Sequence, residues 1–355
     1  MTSPYDDLPP DAFWRNAVSD RAPLDPAGIY APRFRITKKT RIFTAGSCFA
    51  QHLNRNLRDA GYHVLDAEPL HSALPDDIAA RFGYRQFSAR MGNIYTLRHM
   101  VQLVRECLGE ATPSDPVWEK DGRFFDAQRP SVEPQGLPSA DDVLAHRAQH
   151  LHALRETLPH IDLFVFTMGL TEAWIARSDE TIYPTAPGVI AGSYDPETMI
   201  FKNFTAAEVL ADALALRELL RRENPKMRML LTVSPVPLTA TASGQHVEVA
   251  TAYSKATLRS VCGRLTQTFR NVDYFPSYEI ITSPATRGAY FAPNLRNVSD
   301  AGVAAVMSVF RAAHGDAAKA DPAFARGRVL KPGALSMAKL EEASCDDALL
   351  EAFSP

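Results

Sequence analysis

Several features that would assign the chain to a common functional class are missing from its sequence. Its 355 residues carry a formal net charge of −3, so no basic field indicates nucleic acid or an anionic membrane as a partner. No stretch approaches the roughly 20 apolar residues of a membrane-spanning helix. The amino terminus lacks the positive start and apolar run of a signal peptide, so we expect a cytoplasmic protein.

The spacing of the cysteines, histidines and glycines argues against disulfide, metal and nucleotide-binding sites. The four cysteines form no Cys-x-x-Cys pair, which favours reduced thiols over a disulfide framework or a zinc site. His146 and His150 share a helix face, but no third ligand has matching spacing, and we predict no metal site. Gly-x-Gly-x-x-Gly and Walker spacings are absent, which argues against a nucleotide enzyme, and no cofactor is predicted.

The chain does contain apolar runs that alternate with amphipathic segments. Residues 161–167 and 227–233 are almost continuously apolar, as is typical of strands buried on both faces of a parallel sheet. Shorter runs at 42–45, 62–65 and 272–275 are separated from these by helical patterns. This alternation predicts an α/β sandwich around a mostly parallel sheet of about five strands.

Local signals predict where some of the elements begin. Ser139 with Asp142, and Thr205 with Glu208, have the spacing of helix-starting caps. The dipeptide Asp121-Gly122 between two short runs predicts a β-hairpin. We predict an arm held by aromatic residues at 1–38, one α/β domain at 39–314 and a loosely attached tail at 315–355. The domain has two predicted insertions, at 109–138 and 170–204.

Ser47 occupies the turn between the first predicted strand and helix. The apolar run ends at Gly46, and helical spacing begins with Phe49. A serine at this place lies beside backbone N–H groups and the positive end of the helix dipole, which stabilise a developing oxyanion. Two interpretations are open at this point: Ser47 is a nucleophile, or it caps the helix. The neighbouring Cys48 is a less favoured nucleophile, because the next position usually faces the packing side of the helix.

Residues that could assist Ser47 follow the other predicted strands. Ligands bind at the carboxyl ends of the strands in such a sheet, and His246 lies in a loop at this edge, where it could act as the base. The alternative is a surface histidine. Glu279 or Glu172 could orient the imidazole, with Glu279 preferred because it follows the strand after the His246 loop. Alternatively, Glu279 pairs with an arginine.

Donors for an oxyanion are predicted from the same strand ends. They are the backbone N–H of Ser47, the pair Gly92 and Asn93, and Thr171 beside Gly169. Gly92 would let the backbone approach a ligand closely, and the amide of Asn93 offers a neutral donor.

The motif Gly46-Ser47-Cys48-Phe49-Ala50 resembles the name-giving motif of the GSCFA family, within the SGNH/GDSL-like hydrolases. The resemblance runs over about residues 1–312 and includes further segments in order, Gly92–Thr96, Gly169–Trp174, Ser234–Leu238, Tyr253–Lys255 and Asp273–Glu279. It implies a flavodoxin-like three-layer α/β/α fold and serine hydrolase or acyltransferase ancestry, often associated with glycan modification.

The resemblance also implies roles for single residues and two departures from the superfamily pattern. Ser47 matches the nucleophile and Gly92 the oxyanion glycine, whereas Thr171 replaces the oxyanion asparagine. The superfamily's Asp-x-x-His falls on Asn294-Leu-Arg-Asn297. Because asparagine cannot accept the serine proton at neutral pH, His246 is the candidate base.

Together these features predict a serine-dependent esterase or O-acyltransferase. Its partner would be a small-molecule or glycan ester, such as an acetylated glycan, attacked by Ser47 through an acyl-serine intermediate. His246 would move the proton and Glu279 or Glu172 would orient it. The alternative is a catalytically degenerate protein of the same fold that binds a carbohydrate or a partner without turnover, since the usual Asp and His are missing.

Overall fold

The computed structural model describes residues 2–26, 28–70, 74–315, 349–350 and 353. In chain order the strands and α-helices are β1 (Ile42–Gly46), α1 (Phe49–Asp59), α2 (Asp76–Arg81), α3 (Leu97–Cys107), β2 (Val117–Lys120), β3 (Arg123–Asp126), α4 (Ala140–Thr157), β4 (Leu163–Met168), β5 (Glu172–Ala176), β6 (Ile182–Tyr183), β7 (Met199–Asn203), α5 (Ala206–Glu223), β8 (Arg228–Val233), α6 (Val247–Thr268), β9 (Val272–Tyr274), α7 (Ser277–Thr282) and α8 (Asp300–His314).

The central sheet is parallel and has the strand order β1-β4-β8-β9. β1 pairs with β4 from Ile42 opposite Leu163 to Gly46 opposite Thr167. All residues of both strands are buried, as expected for strands covered on two faces. The carboxyl ends of the strands therefore meet at one edge of the sheet, where α/β proteins bind their ligands.

Helices cover both faces of this sheet. Alternate residues of β4 divide between two cores: Phe164 and Phe166 pack with apolar residues of α3, α5 and α6. Leu163 and Val165 pack with those of α1, α7 and α8 on the other face. The fold is therefore a three-layer α/β/α sandwich, in agreement with the prediction.

The structure differs from the sequence interpretation in three places. Residues 62–65 form a single bridge, Val64 to Ile42, so the sheet has four strands and one bridge at its edge. The segment 66–90, predicted to be irregular, contains α2. The insertion at 170–204, predicted to be loop-rich, forms the antiparallel sheet β6-β5-β7. Pairing with distant segments decides the first and the third of these differences, and local sequence patterns do not report such pairing.

The two insertions pack against each other. The predicted hairpin is confirmed: β2 and β3 pair through Asp121 and Gly122, both with positive φ. Trp118 of β2 lies 5.3 Å from Tyr183 of β6, measured between ring centroids. These side chains belong to a third apolar cluster that joins the hairpin to the antiparallel sheet.

The predicted arm is attached near the end of β9. The Tyr30 hydroxyl and the Arg33 N–H both donate to Asp273 Oδ2, at 2.9 and 2.8 Å. Tyr30 also meets Phe275 edge-on, with ring centroids 5.1 Å apart. Most of the predicted tail, residues 316–348, 351–352 and 354–355, lies outside the described residues. No helix among the described residues is long and apolar enough to cross a membrane.

Gly46 provides a stability test of the sheet. Its φ is +136°, and a Cβ atom there would lie 2.3 Å from the Thr167 carbonyl oxygen. We expect Gly46→Ala to lower the free energy of unfolding by about 3 kcal/mol or more, since backbone strain adds to overpacking. Urea denaturation of the purified variant measures this loss.

Gly109 is the matched control, because its φ is +74° and no atom of the described residues lies within 4 Å of an added Cβ. Gly109→Ala should cost only the roughly 1–2 kcal/mol of a left-handed L-residue. Equal losses in the two variants would show that the close approach at Gly46 is not what restricts this position.

Candidate active site

The turn after β1 directs Ser47 into the interior at the carboxyl edge of the sheet. Gly46 takes a positive φ that a side chain would disfavour, and Ser47 N–H donates to the Thr167 carbonyl at 3.1 Å. From the next loop, Gly169 approaches so closely that a Cβ atom there would lie 2.9 Å from Ser47 Cβ. Two glycines therefore bring the ends of β1 and β4 together around this serine.

The Ser47 hydroxyl is buried and has no hydrogen-bond partner among the described residues. The residue is 2% exposed. The N-cap of α1 is Cys48, and no side chain caps this helix. The interpretation of Ser47 as a helix cap is therefore wrong, because its Oγ accepts no hydrogen bond from the first turn. Ser47 lines a small cavity together with Cys48, Tyr95, Gly169, Leu170, Ser234, Val236, Pro237, Leu238 and Thr239.

Most of the predicted oxyanion donors are engaged within the protein. The N–H of Ser47 binds Thr167, and the N–H groups of Gly169 and Leu170 both donate to the Tyr95 carbonyl, at 3.1 and 3.0 Å. Thr171 N–H donates to Ser254 Oγ at 2.9 Å. The start of α1 leaves its first N–H groups without acceptors in the helix, and Cys48 and Phe49 occupy these positions.

Gly92 and Asn93 lie on the segment that runs along the end of β1. Ile94 N–H donates to the Gly46 carbonyl at 2.9 Å, which holds this segment against the turn. The side-chain Oδ1 of Asn93 accepts a hydrogen bond from Nε2 of Gln51 in α1 at 3.2 Å, and Asn93 is buried. Gly92 has a φ of +68° and packs against Arg129. Both residues therefore support the turn, and neither lines the Ser47 cavity.

The structure does not bring His246 and Glu279 together with Ser47. His246 is the N-cap of α6, its ring accepts from Glu248 N–H at 3.2 Å, and its side chain is 69% exposed. Glu279 accepts from Arg259 at 2.6 Å and from the Tyr274 hydroxyl at 2.7 Å. The predicted triad is therefore not assembled, because capping holds the histidine outward and an ion pair holds the carboxylate.

Glu172, the other predicted carboxylate, lies at the start of β5 beside the site. It is 9% exposed, and its Oε1 accepts from the Thr241 hydroxyl at 2.8 Å. Burial raises the pKa of this carboxyl, an effect that the Thr241 hydrogen bond partly offsets. Glu172 lines a cleft of about 220 Å³ that shares Tyr95, Leu170 and Leu238 with the Ser47 cavity, so the two spaces adjoin.

Two polar residues of α6 support the site and were not predicted as site residues. Ser254 accepts the Thr171 N–H, and Lys255, only 1% exposed, donates from Nζ to the Gly169 carbonyl at 2.7 Å. Together they hold the loop that packs against Ser47. The segment Tyr253–Lys255, one of those that resemble the GSCFA family, could have pointed to these two residues. A helical sequence, however, does not reveal which carbonyl group a lysine side chain will bind.

The remaining candidates lie apart from this cavity. Asn294 forms a local turn in which its side chain accepts from the N–H groups of Arg296 and Asn297, at 3.1 and 3.0 Å. On α4, His150 Nδ1 lies 2.7 Å from Glu68 Oε2, and burial lowers the pKa of His150 to about 4. Its bond to Glu68 explains His150 as part of a buried polar network. No group of three metal-ligating side chains occurs among the described residues.

A comparison with protein families identifies the family suggested by the motif around Ser47. The model of the GSCFA family matches residues 41–310, from the first residue before β1 into α8. No curated protein matches the sequence. Because the family match covers well over half of the chain, the protein belongs to the GSCFA family, a membership that suggests a hydrolase-like function.

Proposed function

We propose that this protein is a serine-dependent esterase or O-acyltransferase that acts on a small acyl ester, with an acetylated glycan as one candidate substrate. One observation carries the proposal: the Ser47 hydroxyl lies buried in a cavity at the carboxyl edge of the sheet, with no hydrogen-bond partner in the described part of the chain. A buried hydroxyl without a partner is unfavourable for stability, and this one lies at the sheet edge where α/β proteins bind their ligands, which together support a functional role.

In the proposed reaction, Ser47 Oγ bonds to the carbonyl carbon of the ester and the carbonyl oxygen becomes negative. The N–H groups of Cys48 and Phe49 and the dipole of α1 would stabilise that charge. Collapse of the intermediate breaks the ester C–O bond, the base returns the Ser47 proton to the departing oxygen, the alcohol is released and an acyl group stays on Ser47. Water or a second alcohol then removes the acyl group, which distinguishes a hydrolase from a transferase.

We propose Lys255 as the base that accepts the Ser47 proton. A Cβ atom on Gly169 would lie 2.9 Å from Ser47 Cβ, and the Gly169 carbonyl accepts from Lys255 Nζ at 2.7 Å, so the serine and the lysine both adjoin this glycine. Burial disfavours the charged form of a lysine, and a neutral amine can accept a proton. Serine–lysine pairs perform this chemistry on other folds.

A second candidate function is binding without turnover. It is favoured by the same hydroxyl, since no base among the described residues is hydrogen-bonded to Ser47 Oγ, and by the asparagines at 294 and 297. If Ser47 has no base, the protein could still bind a ligand in its cleft but could not transfer an acyl group. The next experiment separates the two functions.

A fluorophosphonate probe should label the wild-type protein at Ser47, and an aryl acetate should be hydrolysed. We expect Ser47→Ala to abolish labelling and to reduce hydrolysis by at least about 10²-fold, since the nucleophile is removed. Mass spectrometry of the labelled peptide and an absorbance assay measure the two effects. Ser260→Ala, at an exposed position of α6 outside the Ser47 cavity, is the control and should retain both. If folded wild-type protein is neither labelled nor active, the enzymatic proposal fails and the binding function stands.

The choice of base can be tested by comparing substitutions of Lys255 and His246. We expect Lys255→Met and Lys255→Arg both to slow labelling by about 10²-fold or more, because neither side chain can accept a proton. His246→Asn should leave the labelling rate unchanged, because asparagine preserves the cap. The measurement is the rate of probe reaction as a function of pH, with circular dichroism to verify folding.

The arginine variant distinguishes catalysis from positioning. Arginine retains a donor for the Gly169 carbonyl, so a normal rate in folded Lys255→Arg would mean that the lysine only holds the loop. A large loss in His246→Asn, with Lys255→Arg unaffected, would return the role of base to the histidine.

A further inference from the structure

The space beside Ser47 has a composition that limits what it can bind. We call it the β5 cleft, defined by its lining residues Tyr95, Leu170, Glu172, Ala173, Trp174, Pro184, Thr185, Ala186, Phe201, Leu238, Ala240, Thr241, Ala242 and Leu350. Glu172 is the one charged residue among them. The remaining described walls are apolar, aromatic or hydroxyl-bearing, so Glu172 is the one carboxylate that the described lining contributes.

Glu172 has no cationic partner among the described residues. Its hydrogen bond comes from the neutral Thr241 hydroxyl, and nearby Lys202 of β7 pairs with Glu208 at 2.6 Å. Loss of solvent without a counter-charge raises the pKa of the Glu172 carboxyl. An isolated carboxylate in a largely buried place is unfavourable, and a cationic ligand would relieve that cost.

The other walls suit the same kind of ligand. Trp174 and Phe201 line the cleft and meet edge-on, with ring centroids 5.7 Å apart. Aromatic faces attract ammonium groups, most strongly where water is excluded. Thr185 is 4% exposed, lines the cleft, and its hydroxyl has no hydrogen-bond partner among the described residues. This hydroxyl is available to a polar group on the ligand.

We infer that the β5 cleft binds an ammonium-bearing alcohol, the alcohol half of the ester on which Ser47 acts. The ammonium group would contact Glu172 and the aromatic walls, while the alcohol oxygen points through the shared boundary at Tyr95, Leu170 and Leu238 toward Ser47. Anionic alcohols would be repelled by the carboxylate. That this alcohol belongs to an ester cleaved at Ser47 rests on the proposed function, whereas binding of the ammonium group in the cleft does not.

Binding can be measured separately from turnover by isothermal titration of the Ser47→Ala protein. The probes are choline, its neutral isostere 3,3-dimethylbutan-1-ol and the anion 3,3-dimethylbutanoate. We expect choline to bind at least about tenfold more tightly than the neutral alcohol, and the anion to bind least, since a desolvated cation–π and carboxylate contact favours the cation. Glucosamine against glucose extends the comparison to an ammonium group on a sugar.

Glu172→Gln should remove the preference for the charged probes while keeping the Thr241 hydrogen bond, because the amide oxygen can accept it. Glu248→Gln is the matched control, since Glu248 is an exposed carboxylate outside the cleft, and it should bind choline normally. Thermal denaturation verifies that both variants are folded. The inference would be overturned if choline bound no better than 3,3-dimethylbutan-1-ol and glucosamine no better than glucose. It would also be overturned if Glu172→Gln kept the preference for the charged probes.

The outcomes for the two proposals are independent. Choline binding by a protein that fluorophosphonate does not label would support the ammonium site and reject the enzyme. Labelling at Ser47 combined with equal binding of charged and neutral alcohols would support the enzyme and reject the ammonium site.

Discussion

The ends of β1 and β4 approach each other without a side chain between them, and the candidate site depends on this contact. A Cβ atom at Gly46 would lie 2.3 Å from the Thr167 carbonyl oxygen, and one at Gly169 would lie 2.9 Å from Ser47 Cβ. Because both positions are glycine, the turn can place Ser47 inside the protein, where its hydroxyl is removed from water. The same proximity engages the Ser47 N–H with Thr167, which is why our proposal takes the oxyanion donors from the start of α1.

Helix α6 supports this contact from behind the sheet. Its consecutive residues Ser254 and Lys255 hold the loop after β4 at both ends, one through the Thr171 N–H and the other through the Gly169 carbonyl. The first turn of the same helix holds His246 at the surface, with its ring on the Glu248 N–H. One helix therefore separates the two basic side chains, the lysine inside and the histidine outside. This separation is why we assign the proposed proton transfer to Lys255.

The antiparallel sheet lines the β5 cleft, which we propose as the site for the alcohol. β5 begins with Glu172 directly after the loop that packs against Ser47, and two residues later it presents Trp174. The strand is paired on both sides, by β6 and β7, so these side chains have a rigid support. The insertion thus places a carboxylate and aromatic walls next to the serine, which supports our proposal that it selects the alcohol.

Much of the framework was predictable because its signals are local. Continuous apolar runs identified β4 and β8 as strands buried on both faces, and both Ser139 and Thr205 begin helices with the predicted caps. The turn at Gly46-Ser47 was also predictable, because a strand pattern ends there and a helix pattern begins. The antiparallel sheet was not, since short strands at Ile182 and Met199 depend on pairing with β5.

The sequence by itself determined the α/β class, the family and the position of Ser47, since each follows from residue order and spacing. Only the tertiary structure decided which groups surround that serine. Whether an N–H is occupied, whether His246 faces solvent and whether Glu279 has an arginine partner depend on atoms far away in the chain. Hydrogen bonds and ion pairs act over about 3 Å in space, a distance that spacing along a sequence does not encode.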